Sequence, residues 1–276
     1  MQVCIKTAIL CLFANLFFPL PSQPQIPFKH SLLDSVLSSF VDDNGLVDYA
    51  GLQKDRNTLD VYIDSIGSVS PETHPKRFST PTHQLAYWIN AYNALVLRGI
   101  TDAYPVASVK DIQLFNGFFN RRTWKVGGQK ITLDNIENDI IRPRFNDPRI
   151  HFVLNCGAMS CPPLENRAFT GRSLEKRLEK ALVRFISNEH FFTLRGNHLL
   201  LSKIIDWYRS DFYPKGRSIS PPDNSEVDPL ISYFIPHVDQ SIKDQLRNPA
   251  LQVQFFEYDW SLNAQPVPST PKSTNY

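Results

Sequence analysis

The stretch Pro81–Arg98 constrains the fold of this chain more than any other. Leu85, Trp88, Ile89, Tyr92 and Val96 recur at helical spacing and form one apolar stripe, while Ala86, Ala91, Ala94, Leu95 and Leu97 make most of the remaining circumference apolar too. A helix apolar nearly all round has no face to offer water, so it must lie at the centre of a fold with other elements packed around it. Its ends are marked as well: Thr80 suits the N-cap, Pro81 the first helical position and Gly99 the C-terminal stop. Asn90 and Asn93 sit close together on the side away from Trp88. Buried amides there need partners or line a cleft, and satisfied core amides are the commoner outcome.

The elements predicted around this helix are mixed. Leu32, Leu33, Val36, Leu37 and Phe40 follow helical spacing, and a turn at Asn44-Gly45 leads into a second helical segment with Leu52, Leu59, Tyr62 and Ile63 facing the core. Trp124–Val126 and Gln129–Leu133, joined by Gly127-Gly128, read as a hairpin, followed by a short helix with capping-box spacing at Asp134 and Glu137. An amphipathic helix starts near Ser173. Phe191–Leu194 and His198–Leu201 form a second hairpin, a short helix runs through Trp207, Tyr208 and Phe212, Leu230–Phe234 is helical, and Val253–Trp260 is extended. Without regular strand-helix alternation or an internal repeat, the class is α+β: one domain, its central helix packed against a small, mainly antiparallel sheet.

At 276 residues, with 42% hydrophobic and 12% aromatic content, the chain can build a sizeable core. Its 29 basic and 27 acidic side chains are interspersed and leave a net charge of +2, which points to neither nucleic acid nor an anionic membrane surface. Lys6 followed by the apolar run Thr7–Leu20 has the shape of a secretory signal peptide over residues 1–22, so a secreted or periplasmic protein is expected. A linker over 23–28, a globular domain over 29–263 and a disordered tail over 264–276 complete the expected organisation. Pro214–Asp228 reads as a surface loop. No later run is long enough to span a bilayer, and no phosphate loop, paired-histidine zinc helix or nucleophile elbow occurs, so neither a cofactor nor a metal is expected.

Candidate chemistry concentrates in Arg149-Ile-His-Phe-Val-Leu-Asn-Cys-Gly-Ala-Met-Ser-Cys-Pro-Pro163. Its apolar residues favour a buried strand that empties into a loop. Removal of the leader takes Cys4 and Cys11 with it and leaves Cys156 and Cys161, which in an exported protein invite a disulfide. A reactive Cys156 thiol, metal ligation or two inert thiols are the alternatives. As a nucleophile Cys156 would have the Gly157 amide beside it to stabilise an oxyanion, and it would need a base. In a continuous strand His151 and Cys156 are roughly 16 Å apart and on opposite faces. Either the chain breaks between them, or the base is His83, His198 or His237. Arg142, Arg144 and Arg149 offer an anion pocket or a solvated basic rim, and Trp207, Tyr208 and Trp260 are core or cleft-lining aromatics.

Four segments together resemble the domain of unknown function 547 family: Leu85-Ala-Tyr-Trp-Ile-Asn-Ala-Tyr-Asn-Ala94, the run from Asp147 to Leu164, Leu201-Ser-Lys-Ile-Ile-Asp-Trp-Tyr-Arg-Ser-Asp-Phe212 and Tyr258-Asp-Trp-Ser-Leu-Asn263. The resemblance covers roughly 46–263 and implies one domain in which these residues build a common cleft. It carries no established activity. The family pattern has Ile-Glu-His where this chain has Ile136-Glu137-Asn138. A remoter similarity to papain-like and transglutaminase-like enzymes, resting on a helix followed by a histidine, implies an altered or inactive relative, because this helix holds no cysteine. Two functions are therefore expected. The first is a non-catalytic or ligand-binding domain with a bridged Cys156 and Cys161, and with Asn90, Asn93, Asn155, His151 and Arg149 around a polar cleft that takes a small molecule or peptide. The second is a thiol-dependent hydrolase or acyl-transfer enzyme using Cys156 and His151.

Overall fold

The computed structural model describes residues 26–113, 116–213 and 227–266. The expected signal peptide with Cys4 and Cys11, nearly all of the Pro214–Asp228 loop and most of the tail lie outside these residues. In chain order the α-helices among the described residues are α1 (Ser31–Phe40), α2 (Tyr49–Lys54), α3 (Asn57–Ser68), α4 (Pro81–Ala103), α5 (Gly117–Asn120), α6 (Arg142–Phe145), α7 (Leu174–Ile186), α8 (Lys203–Trp207), α9 (Pro229–Phe234) and α10 (Gln240–Leu246). The strands are β1 (Trp124–Val126), β2 (Gln129–Ile131), β3 (Phe192–Arg195), β4 (His198–Leu201) and β5 (Gln252–Phe255). The class is α+β.

Helix α4 is the hub that its composition demands. Thr80 caps it through its hydroxyl, 3.2 Å from the His83 amide, and from Leu85 to Leu97 every residue is buried. Its closest neighbours are helices, namely α2, α3, α7 and a π-helical segment over Asn135–Ile141. The β1–β2 hairpin reaches α4 through Trp124, beside Gly99. Gly99 does not end the helix as expected. A Cβ there would stand 2.4 Å from the Phe118 ring, so this glycine admits a close neighbour, and α4 continues to Ala103 before Pro105. On its exposed flank Arg98 and Asp102 join Arg56, Asp60 and Arg122 in a web of ion pairs that ties α3 to α4.

Both hairpins form where turn residues and alternation place them, β1 with β2 around Gly127-Gly128 and β3 with β4 around Gly196-Asn197. Strand β5 then adds to β4 in parallel, Leu199 opposite Val253 and Leu201 opposite Phe255, to give a three-stranded mixed sheet.

The last described segment stitches the domain together. Val47 pairs with Ala264, Ser108 with Ser261 and Ala158 with Leu262 in isolated bridges. Asn263, almost fully buried, accepts a hydrogen bond from the Tyr49 hydroxyl at 2.8 Å and takes its amide to the Gly157 carbonyl at 3.0 Å. This lacing holds Tyr258 and Trp260 over the cysteine loop.

Candidate functional site

The segment expected to be a strand is a 3-10 helix over Pro148–Phe152. Asp147 accepts from the Arg149 amide at 3.0 Å, and Pro148 occupies the first helical turn. An N-cap aspartate followed by proline starts a helical turn, and this local chemistry outweighs the apolar run that suggested extended chain. The geometry that separated His151 from Cys156 therefore does not apply. The chain breaks between them, and both side chains line one cavity.

Beyond the turn, side chains fix the backbone. Asn93 donates to the Val153 carbonyl at 2.9 Å and accepts from the Asn155 amide at 2.9 Å. Asn155 donates to the Pro162 carbonyl at 2.7 Å and accepts from the Gly157 amide at 2.8 Å. Gly157 has φ +83°, and a Cβ there would lie 2.2 Å from the end of Ile100, so both conformation and space require glycine. The clamped loop brings Cys156 and Cys161 to a Cα separation of 6.1 Å with their sulfurs bonded. The Tyr258 hydroxyl lies 3.1 Å from each sulfur.

Opposite the disulfide stands the π-helix. The reciprocal cap at its start is made by Thr132 and Asn135, whose side chains bond each other's amides at 3.0 and 3.1 Å. Asp134 makes no cap bond, so the expected Asp134–Glu137 box does not form. Glu137 is thereby free to turn inward, where its carboxylate faces the cavity and adds to the effect of burial on the hydroxyls of Tyr92 and Tyr208, raising both. Burial, followed by the Glu137 charge, pushes the Tyr208 and Tyr258 hydroxyls well above their ordinary range. π-helical turns inside helices recur at functional sites because the extra residue re-aims side chains.

His151, almost fully buried, stacks on Tyr208 with ring centroids 4.1 Å apart and sets Nε2 2.8 Å from Asp211. Arg142 grips the same carboxylate with two nitrogens at 2.6 and 2.7 Å. Burial pushes the Asp211 carboxyl up, but the bonds and charges of Arg142 and His151 outweigh it and hold it well below the usual carboxylate range. The arrangement is a histidine oriented from behind by a carboxylate that is itself anchored by arginine.

These groups enclose a cavity of about 300 Å³. Its aromatic walls are Tyr92, Phe119, Trp207, Tyr208, Tyr258 and Trp260, and its polar lining includes Glu137, Asp134, Asn116, Asn120, Asn138, His151 and the disulfide. Of the residues singled out from sequence, His151, Cys156 and Cys161 meet there. Asn90, Asn93, Asn155 and Arg149 do not line it. Asn90 brackets the amide and carbonyl of Phe169, both at 2.8 Å, as Asn93 brackets its own loop. Both amide groups are directed at backbone. Arg149 pairs with Asp147 and Glu175, Arg144 with Glu72 and Arg142 with Asp211, so these three guanidinium groups form no anion pocket. His83, His198 and His237 also lie off the cavity, and His237 bonds Glu179 at 3.0 Å. Among the described residues no group of three or more His, Cys, Asp or Glu side chains is placed to hold a metal.

Tyr92, Glu137 and Tyr258 are not among the site residues that the sequence suggests. Tyr92 and Tyr258 stand inside the quoted segments, which supplied a signal. Glu137 was masked by its apparent role in a cap. The two segments that carry α4 and the cysteine loop fall within residues 75–186, which match the family described as "Protein of unknown function, DUF547". The DUF547 match thus includes one wall of the cavity, its π-helix and its disulfide, while Trp207, Tyr208, Tyr258 and Trp260 come from beyond it. No curated protein and no solved structure matches the chain significantly. No described helix is long and apolar enough to cross a membrane.

Proposed function

We propose that the domain binds a small molecule in the cavity between the Cys156–Cys161 bridge and the π-helix, and that it does so after export. The observation that carries this reading is the convergence on one cavity of aromatic rings with a few polar groups set among them. Concave, largely apolar sites with a few placed polar groups are the usual form of small-molecule sites. Export is supported by the leader-like start of the sequence and by the disulfide, a bond that persists in oxidising compartments. With both sulfurs committed to each other, Cys156 holds no thiolate. A library of small molecules should raise the melting temperature of the wild type and leave unmoved an Asn120→Trp variant, in which an indole placed at the exposed rim fills the mouth. Equal shifts in both proteins overturn the reading.

One observation favours a second reading, a thiol-dependent hydrolase or acyl-transfer enzyme: Cys156 and His151 line the same cavity. It requires the bridge to be open. After reduction, Cys156 should then react with an electrophilic probe faster than in denatured protein, and an equal or slower rate rules the enzyme out.

A further inference from the structure

We infer that the ligand of this cavity is a compact organic cation, an amine or quaternary ammonium compound held by Glu137 and the surrounding aromatic rings. The inference rests on reading the cavity as a ligand site. Its first support is the sign of the lining. Among the described residues two carboxylates, Asp134 and Glu137, line the cavity, and no lysine or arginine does. Asp134 is exposed at the rim, whereas Glu137 is 9% exposed. A buried carboxylate is costly unless it is paired, yet among the described residues no lysine or arginine nitrogen makes an ion pair with Glu137. Arg142, which feels its charge, is turned to Asp211 and stands behind Tyr208, 5.0 Å from that ring. The tyrosines beside Glu137, Tyr92 and Tyr208, are neutral and carry no charge to pair with it.

The second support is independent of charge. Trp207, Tyr258 and Trp260 cluster with centroid separations of 4.5 to 5.7 Å at the cavity wall, and Trp207 is 48% exposed. Ring faces of Trp and Tyr attract cations through their quadrupoles, and a cage of several such rings is the known way to hold an ammonium group without stripping it against a single charge. The same rim already holds one cation from within the chain, the Lys110 ammonium 4.2 Å from the Trp260 ring. Volume sets the size. About 300 Å³ lies at the lower end of small-molecule sites, which suits a monoamine or a choline-sized ion rather than a peptide.

The test is calorimetric titration of the oxidised full chain with three probes of one shape: choline, its neutral tert-butyl analogue and pivalate. Choline should bind about tenfold or more tighter than the neutral analogue, a ratio that corresponds to about 1.4 kcal/mol. Glu137→Gln should erase that ratio, and Trp207→Ala, at a half-exposed position, should weaken choline several-fold. Equal or tighter binding of the neutral analogue or of pivalate overturns the cationic assignment and leaves the cavity reading standing. Failure of all three probes to bind, with Asn120→Trp indistinguishable from wild type, overturns both.

Discussion

Helix α4 meets two buried polar regions, and they are built on opposite terms. Asn90 and Asn93 are bracketed by the amides and carbonyls of two incoming loops, each donating to a carbonyl and accepting from an amide. Tyr92, between them in sequence, turns to the other side and meets Glu137 at the edge of an open volume. Burial and polarity are alike in the two places. What separates scaffold from site is where the hydrogen-bonding capacity goes: into backbone in one, toward a shared cavity in the other.

The largest break in this comparison should come from Asn93→Ala. It strands the Val153 carbonyl and the Asn155 amide in a buried place, and each such group costs roughly 1–3 kcal/mol, so a loss of about 3 kcal/mol is expected in denaturant unfolding. A loss below about 1 kcal/mol would remove Asn93 from the scaffold.

The disulfide belongs to both regions, since its loop is clamped by Asn155 while its sulfurs face the cavity. Replacing Cys156 and Cys161 together by alanine releases a loop of sequence separation 5, for which chain entropy gives about 2 kcal/mol. Unfolding midpoints with unchanged m-values measure that figure. Intact mass after alkylation should show neither thiol free in protein kept under oxidising conditions.

Two histidines extend the contrast to pH. His151 backs onto Asp211, whereas His30 sits among the rings of Phe28, Tyr62 and Tyr87 and reaches no carboxylate, only the Tyr62 hydroxyl at 2.8 Å. Burial, helped by the nearby His83, lowers its pKa to about 3. A lowered pKa means that the unfolded chain takes the proton first. Stability from His30 is then complete above about pH 6.5 and is lost as pH falls toward 3. Because His30 is only partly buried, a loss of about 1 kcal/mol between roughly pH 6.5 and 4.5 is expected. His30→Gln should flatten that slope. Asp211 has a lowered carboxyl, so its contribution is lost only at more acid pH, below the ordinary carboxylate range. A slope that survives in His30→Gln assigns the sensitivity elsewhere.

The scaffold was more legible from sequence than the site, for a physical reason. All-round apolarity marks α4 whatever surrounds it, and Gly127-Gly128 and Gly196-Asn197 mark turns through their own backbone freedom. Those signals are local. The cavity is assembled from six separated segments, so the roles of its residues depend on partners far away in the chain. Asn90 and Asn93 were recognisable as core amides, but a single sequence does not distinguish a clamp from a cleft. Gly99 resembled a helix stop and proved to be a packing glycine. Asp147-Pro148 was the overlooked signal: read as a helix start, it brings His151 and Cys156 to one side and removes the strand that had separated them.

The smallest expected effect on stability is the sharpest test of the comparison. Glu137→Gln keeps the shape of the side chain while removing the charge that acts on the neighbouring tyrosines. If Glu137 were scaffold like Asn93, losing its charge inside a satisfied network would cost several kcal/mol. If instead it faces a cavity and waits for a cation, the empty protein loses little, about 0.5 kcal/mol or less, and it can even gain, because an uncompensated buried charge has been removed. Parallel unfolding of Asn93→Ala and Glu137→Gln sets the two regions side by side. A strongly destabilised Glu137→Gln would place Glu137 with the asparagine clamps and leave the cavity without its charged wall.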